Sequence, residues 1–221
     1  MSFDYAKARE AMVEQQVRPW DVLDLRVLEV LSTLPRDAFV AAPHRALAYA
    51  DLELPIGHGE SMMKPVLEGR ALQALLPQAD ESVLEIGTGS GFLAACLGRL
   101  AREVHSIERH GDLAEGARAR LATAGIVNVS VEHADAFAWD SDRRFDVICV
   151  GGAVDVLPSR FGGWLRPGGR LFVVEGRAPA MQALLFTAGV NGLRRESLFE
   201  TELGYLQGAA PVAEFQFQAV P

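Results

Sequence analysis

The sequence has two cysteines, Cys96 and Cys149, in 221 residues. They show no metal-ligand spacing, so neither a disulfide framework nor a cysteine-held metal is expected, and both read as reduced core residues. Basic charge is also scarce. The formal net charge is −8, whereas proteins that wrap nucleic acid or dock on anionic membranes present a basic face. Neither partner is therefore expected, although a local basic patch stays compatible with this balance. No apolar run reaches the length of a membrane span. The opening Met-Ser-Phe-Asp-Tyr-Ala-Lys has no apolar h-region, and a cytoplasmic protein is the simplest expectation. There is no Gly-Lys-Ser/Thr to build a phosphate-cradling P-loop. Repeats and low-complexity segments are absent from the sequence as well.

What is present is a chain with 49% apolar residues, enough to bury a sizeable core. Residues 4–17 have helical apolar spacing through Tyr5, Ala8, Met12 and Val13, with Pro19 interrupting. A second helix, capped by Asp21 or Asp24, is expected through Leu34, followed by a turn at Pro35–Phe39. A short strand is expected at 49–56, broken by Gly57-His58-Gly59. A helix follows from Pro65 to Leu76 and ends at Pro77. From residue 82 the pattern alternates. Strands are expected at 82–86, 103–107, 129–132, 145–150 and 170–174, and helices at 91–100, 112–124 and 157–164. Such alternation implies an α/β fold with a Rossmann-like, doubly wound, mostly parallel sheet. Residues 181–188 and 193–200 flank Asn191-Gly192, which favours a type I′ turn and a C-terminal antiparallel hairpin. Phe215-Gln216-Phe217 reads as one more strand or a docked tail. The expected organisation is an N-terminal helical lid subdomain over 1–80 and a binding domain over 81–221.

The most informative stretch is Val83–Gly91. An apolar run stops at Gly87, Gly89 and Gly91, and a helical pattern begins at Phe92. Such a turn lets a ligand touch bare backbone at the mouth of a parallel sheet. A dinucleotide fingerprint needs a further glycine where Phe92 stands, so that ligand is poorly specified. Glu108, ending the second strand, is placed to accept hydrogen bonds from two ribose hydroxyls. Asp135, after the third strand, is placed to accept from the amino group of adenine. Taken singly, Asp135 reads equally well as a turn aspartate and Glu108 as a solvated glutamate. Together with the glycine turn they describe a pocket for a nucleoside without phosphate.

These residues carry a resemblance. Val83–Ala95, Ser106-Ile107-Glu108, His133-Ala134-Asp135-Ala136, Phe145–Ala153 and Leu165-Arg166-Pro167-Gly168-Gly169-Arg170-Leu171 resemble the successive motifs of class I S-adenosylmethionine-dependent methyltransferases. More narrowly, Met12-Val13-x-x-Gln16, Val27-Leu28, Leu34–Val40, Ala48–Asp51, Leu54–Gly59 and Pro65 resemble the protein-L-isoaspartate (D-aspartate) O-methyltransferase family. The likeness spans roughly residues 8–175. It implies S-adenosyl-L-methionine as cofactor, with Glu85, Gly87, Thr88, Gly89, Gly91, Glu108, Arg109, Asp135, Ala136 and Gly151 as the cofactor-binding set. It implies transfer of a methyl group to a free carboxylate of a protein or peptide.

The chain departs from the family in its C-terminal hairpin, Arg194-Arg195-Glu196-Ser197-Leu198-Phe199-Glu200, and at one loop. The family carries Thr-Ile-Ser before a proline, and its serine has the active-site role. Here the stretch is Gly59-Glu60-Ser61-Met62-Met63-Lys64-Pro65, so Ser61 stands for the threonine and Met63 for the serine. A thioether donates no hydrogen bond, and Glu60 adds negative charge where a carboxylate approaches. The resemblance therefore leaves Ser61 as the candidate catalytic residue, with His58, Met63 and Lys64 as substrate-binding candidates. Each also has a plain reading, as loop, core-packing or solvated residue. An ionised carboxylate needs no general base, and the sequence shows no nucleophile–base–orienter triad. Three functions stay open at this point: an isoaspartyl-type carboxyl methyltransferase, a methyltransferase of another peptide or small molecule, and a non-catalytic cofactor-binding module.

Overall fold

A computed structural model describes residues 3–212; the segment Phe215-Gln216-Phe217 lies outside the described residues. Helix α1 (Tyr5–Met12) is capped by Asp4 and widens into a π turn at Val13–Val17, then tightens into a 3-10 turn at Arg18–Trp20. The helical path thus runs through Pro19 rather than stopping there. Pro19 sits in the first turn of the tight segment, where a missing N–H costs little. Asp24 caps α2 (Leu25–Thr33), accepting from the backbone of Arg26 and Val27. The strand expected at 49–56 is shorter. Tyr49–Leu52 form turns closed by Ala50 N–Leu47 O and Leu52 N–Ala50 O hydrogen bonds, and β1 is Leu54–Gly57. It pairs antiparallel with β2 (Glu60–Met62), a strand with no sequence signal of its own. Helix α3 (Pro65–Leu75) follows and ends on Leu76 in the left-handed conformation.

The main sheet comprises β3 (Ser82–Ile86), β4 (Glu103–Glu108), β5 (Val129–His133), β6 (Phe145–Val154), β7 (Leu165–Arg177), β8 (Ala180–Gly189) and β9 (Gly192–Glu200). Its order is β5-β4-β3-β6-β7-β8-β9. The first five are parallel, and β8 and β9 add antiparallel. Helices α4 (Phe92–Leu100), α5 (Gly111–Thr123) and the one-turn α6 (Ser159–Gly163) connect them. The β8–β9 hairpin forms as expected, but its turn is not type I′. Gly189 pairs with Gly192, so Val190 and Asn191 are central, and the positive φ falls on Gly192 alone.

Strands β6 and β7 are buried on both faces, which is why they read as continuous apolar runs. Val147 and Cys149 enter the cluster shared with α1–α4, while Ile148 and Val150 enter the opposite cluster around Trp139, Phe161 and Trp164. Residues of the first 80 positions, such as Met12, Leu31 and Leu72, lie in the same apolar cluster as Val83, Leu97 and Phe172 of the sheet domain.

Arg170 of β7 locks α3 to the sheet. Its guanidinium donates to the Leu75 carbonyl, to the Leu76 carbonyl at 2.9 Å, and to both oxygens of Glu81 at 2.7 and 2.8 Å. The side-chain hydrogen bond from Arg170 holds the Glu81 carboxyl below its ordinary range. A depressed carboxyl stabilises the fold above its unfolded pKa and loses that contribution as pH falls through the folded value. Arg170→Met is expected to cost ~1.5–3 kcal/mol in urea unfolding at pH 7. The difference from the parent should shrink in acid, once Glu81 is protonated.

Candidate active site

The chain visits β3, β4 and β5 on one side and then crosses to β6 and β7. The crevice beyond the carboxyl ends of β3 and β6 is therefore the topological switch point, where open α/β sheets bind ligands. The glycine turn leaves β3 there. Gly87 N donates to Ile107 O at 2.8 Å, and Gly91 caps α4 with φ of 85°. Gly89 has φ of 52°, and a Cβ there would also meet Ile56 Cδ1 at 3.0 Å. Glu108, 5% exposed, closes the turn. Its Oε2 accepts from Gly89 N at 2.8 Å and its Oε1 from His110 N at 2.9 Å. Each oxygen keeps a second lone pair for a ligand hydroxyl.

A cavity of about 280 Å³ opens at this crevice. Of the residues expected to hold the cofactor, it brings together Gly87, Gly89, Glu108, Arg109, Asp135, Ala136 and Gly151. Asp135 serves its own turn as well: Oδ1 accepts from Phe137 N at 2.9 Å, and Oδ2 lies 3.4 Å from Arg109 Nη1. Ser61 reaches the same wall from the β1–β2 hairpin. The donor set fits S-adenosylmethionine. Glu108 offers an acceptor for ribose hydroxyls, Ala134–Phe137 line the side where adenine is expected, and bare backbone at Gly87 and Gly89 leaves room that a Cβ would fill.

Three members of the expected cofactor set lie outside this cavity. Glu85 is 0% exposed beneath the glycine turn, where its Oε2 accepts from the Ser106 hydroxyl and its Oε1 has no partner. Burial pushes its carboxyl up to about 8. Gly91 packs on Ala117 behind the turn. Thr88 bonds to Ser106 and lines a smaller adjoining cavity. The substrate candidates divide similarly. Met63, 5% exposed, lines the smaller cavity. His58 lines neither cavity, because its ring stacks on His110 at 4.0 Å and its Nε2 meets Asp112 at 2.9 Å. That hydrogen bond holds the Asp112 carboxyl below its usual range. Lys64 precedes α3 and also lines neither cavity.

Sequence reasoning missed two parts of the site. The segment Leu203–Gln207, after β9, folds back along β6 and walls the cofactor cavity through Ala153 N–Gly204 O and Leu206 N–Ala153 O hydrogen bonds of 2.8 and 2.9 Å. Nothing local in those residues announces this contact. The buried Arg36–Glu68 pair was missed too, although a signal existed: Glu68 shares the helical face of Leu72 and Leu75, where a core residue belongs. Arg36 Nη2 donates to the Met63 carbonyl at 2.6 Å and so fixes the backbone of the divergent loop. Among the described residues no group of His, Cys, Asp and Glu is arranged to hold a metal, and no helix is long and apolar enough to cross a membrane.

Two substitutions test the crevice. Glu108→Ala should weaken S-adenosylhomocysteine binding by ~1.5–3 kcal/mol in calorimetry; unchanged affinity would remove Glu108 from the site. A Cβ on Gly151 would stand 2.7 Å from Gly87 O and 3.1 Å from Ile86 O, backbone atoms that cannot swing aside. Gly151→Ala is expected to displace the glycine turn, lowering Tm and erasing the thermal shift that S-adenosylhomocysteine gives. A variant keeping both would mean that β6 yields without harm.

The model of the protein-L-isoaspartate(D-aspartate) O-methyltransferase family matches residues 7–190. Protein-L-isoaspartate O-methyltransferase 1 of Rhodopseudomonas palustris (strain HaA2) is 39% identical over 207 residues, covering 92% of this chain and 84% of that protein. The protein-L-isoaspartate O-methyltransferase of Koribacter versatilis is 40% identical over 181 residues, covering 81% of each. A solved protein-L-isoaspartate O-methyltransferase superposes with TM-score 0.77 at 25% identity, over 91% of this chain and 66% of that one. A Plasmodium falciparum structure in complex with S-adenosyl-L-homocysteine shares the fold, with TM-score 0.78 at 18% identity over 93% of this chain and 99% of that one. With its cofactor crevice at the β3–β6 switch point, the chain belongs to the protein-L-isoaspartate(D-aspartate) O-methyltransferase family and is an S-adenosylmethionine-dependent O-methyltransferase.

Proposed function

We propose that the protein methylates the free carboxylate of L-isoaspartyl residues in proteins and peptides, as a cytoplasmic enzyme. The observation that carries this reading is the junction of two cavities. Ser61, Gly87, Gly89 and Gly151 line both the cofactor cavity and the smaller one under the 60–64 loop, so an acceptor entering by that loop meets the glycine turn directly. When bound, the cofactor supplies a methyl group already activated by sulfonium charge. The chain's own residues have the remaining work. The glycine turn and Glu108 fix the donor, the loop orients the acceptor, and the β1–β2 hairpin with Leu203–Gln207 restricts water. Residues 1–80 act here as the lid and acceptor side, and 81–221 as the donor side. Ser61 is the hydroxyl placed to bind the acceptor at the mouth.

A second reading, another carboxylate as acceptor, is favoured by Glu60 on the wall of the cofactor cavity and Met63 in the smaller one. Incubation with methyl-labelled cofactor and an L-isoaspartyl peptide is expected to give base-labile incorporation, against an aspartyl control. Incorporation no higher than the control would overturn the isoaspartyl assignment. An inactive parent whose Met63→Ser variant gained this activity would establish the second reading instead.

A further inference from the structure

Glu68 sits on the first turn of α3 and is 1% exposed. Among the described residues its only cationic partner, Arg36, is held loosely. Arg36 Nη1 lies 3.4 Å from Oε1 and 3.1 Å from Oε2, and Oε2 accepts no hydrogen bond. A buried carboxylate oxygen that is ion-paired but accepts no hydrogen bond is incompletely compensated for its lost hydration. The Glu68 side chain lines a cavity of about 30 Å³ together with Ser61, Met63, Ser90 and the glycine turn. The methionine that stands in the place of a hydroxyl therefore shares its cavity with a carboxyl group whose hydrogen bonding is incomplete.

We propose that Glu68 takes over the task of the missing hydroxyl: as a neutral acid it donates its O–H to one oxygen of the acceptor carboxylate, leaving the other oxygen to attack the methyl carbon. This rests on the carboxyl-methylation reading above. No proton is consumed, because the acceptor is already ionised and the Glu68 proton stays between the two carboxyl groups. The charged groups around Glu68 are few. Arg36 faces it from the 36–39 turn and lowers its pKa, and Asp51 raises it from the turn before β1. Glu85 of β3 and the thiols of Cys96 on α4 and Cys149 on β6 share its field. Burial is the largest influence and pushes Glu68 up to about 7, so the donor form is already populated near neutrality. An anionic acceptor drives it further toward that form. Glu68 thus sets specificity, since an acceptor that must itself donate a hydrogen bond finds a donor opposite it.

The test is calorimetric. Full-length protein saturated with S-adenosylhomocysteine is titrated with a terminally blocked peptide whose isoaspartyl carboxylate is its sole ionisable group. Two buffers of different ionisation enthalpy report the protons exchanged. At pH 8.5 Glu68 is ionised in the free enzyme, so binding should take up close to ~1 proton, fading toward none at pH 6. Affinity should fall about thirtyfold between pH 6 and pH 8.5. Glu68→Gln keeps an N–H donor and should bind within a few-fold of the parent at pH 6, with no proton uptake and no pH dependence. A parent that binds peptide equally at both pH values without proton uptake would leave Glu68 as a mere counter-ion of Arg36 and overturn the proposal. That result decides the matter even if Glu68→Gln fails to fold. Peptide that binds with proton uptake abolished by Glu68→Gln but is never methylated would sink the isoaspartyl function alone. Peptide methylated without proton uptake would sink the role of Glu68 alone, and absence of binding at either pH would sink both.

Discussion

The carboxylate of Glu108 ties together backbone that would otherwise have no reason to stay in register. Gly89 lies in the turn after β3, Glu108 ends β4, and His110 leads into α5; the two hydrogen bonds to Glu108, 2.8 and 2.9 Å long, fasten all three. Glycine loses more freedom on ordering than any other residue, so a turn with three of them needs an external anchor. Charge-assisted hydrogen bonds are the strongest available for this. The anchor also places the ligand-facing lone pairs. A carboxylate held by two backbone amides has little freedom to rotate, and its remaining acceptor directions point into the crevice. Across that crevice Gly151 approaches so closely that Gly87 O would stand 2.7 Å from any Cβ there. Anchor and close approach together fix a side-chain-free floor, which is what a ligand read by its own hydroxyls and charge requires.

The acceptor side obeys a different constraint. Arg36, 0% exposed, donates to the carbonyl of Met63 and lies against Glu68 and the Phe92 ring. Asp51 accepts from Val66 N at 3.2 Å just beyond. The loop between β2 and α3 is thus held by its main chain. A loop fixed in this way tolerates change in the side chain at position 63, because no side-chain contact there is needed to keep its path. Burying a guanidinium costs heavily unless it is paired, and this pair is incompletely satisfied, with Arg36 Nε also lacking a partner. Stability alone gives no reason to keep such a pair.

This difference explains what could be read beforehand. The doubly wound sheet was visible because β6 and β7 are buried on both faces and α3, α4 and α5 repeat at helical spacing. The glycine turn, Glu108 and Asp135 were visible because they sit at strand ends, whose positions follow from the alternation. Long-range contact hid the rest. The path through Pro19 depends on a π turn, Tyr49–Leu52 are turned by local carbonyls, and Leu203–Gln207 lie on β6 only after the hairpin folds back. The surroundings of His58 were hidden for the same reason. Its partner Asp112 belongs to α5, and His58 lines neither cavity. Glu68 was legible in principle, as a charge on an apolar helical face, but its meaning needed Arg36 and Met63 beside it.

Carboxyl methylation demands little of a protein chemically. The nucleophile is ionised, the leaving group is activated, and no general base has to be built. Selection therefore falls on donors that hold one acceptor oxygen while freeing the other. In this chain the Ser61 hydroxyl stands where the two cavities meet, and the Glu68 carboxyl lines the smaller one with Met63. A hydroxyl in a loop donates at every pH, whereas a buried carboxyl donates only while protonated. Replacing the first by the second preserves the hydrogen bond but makes it conditional on charge. The same small cavity that accepts an anion then resists it whenever Glu68 is ionised, so acceptor binding and proton binding become one event at this site.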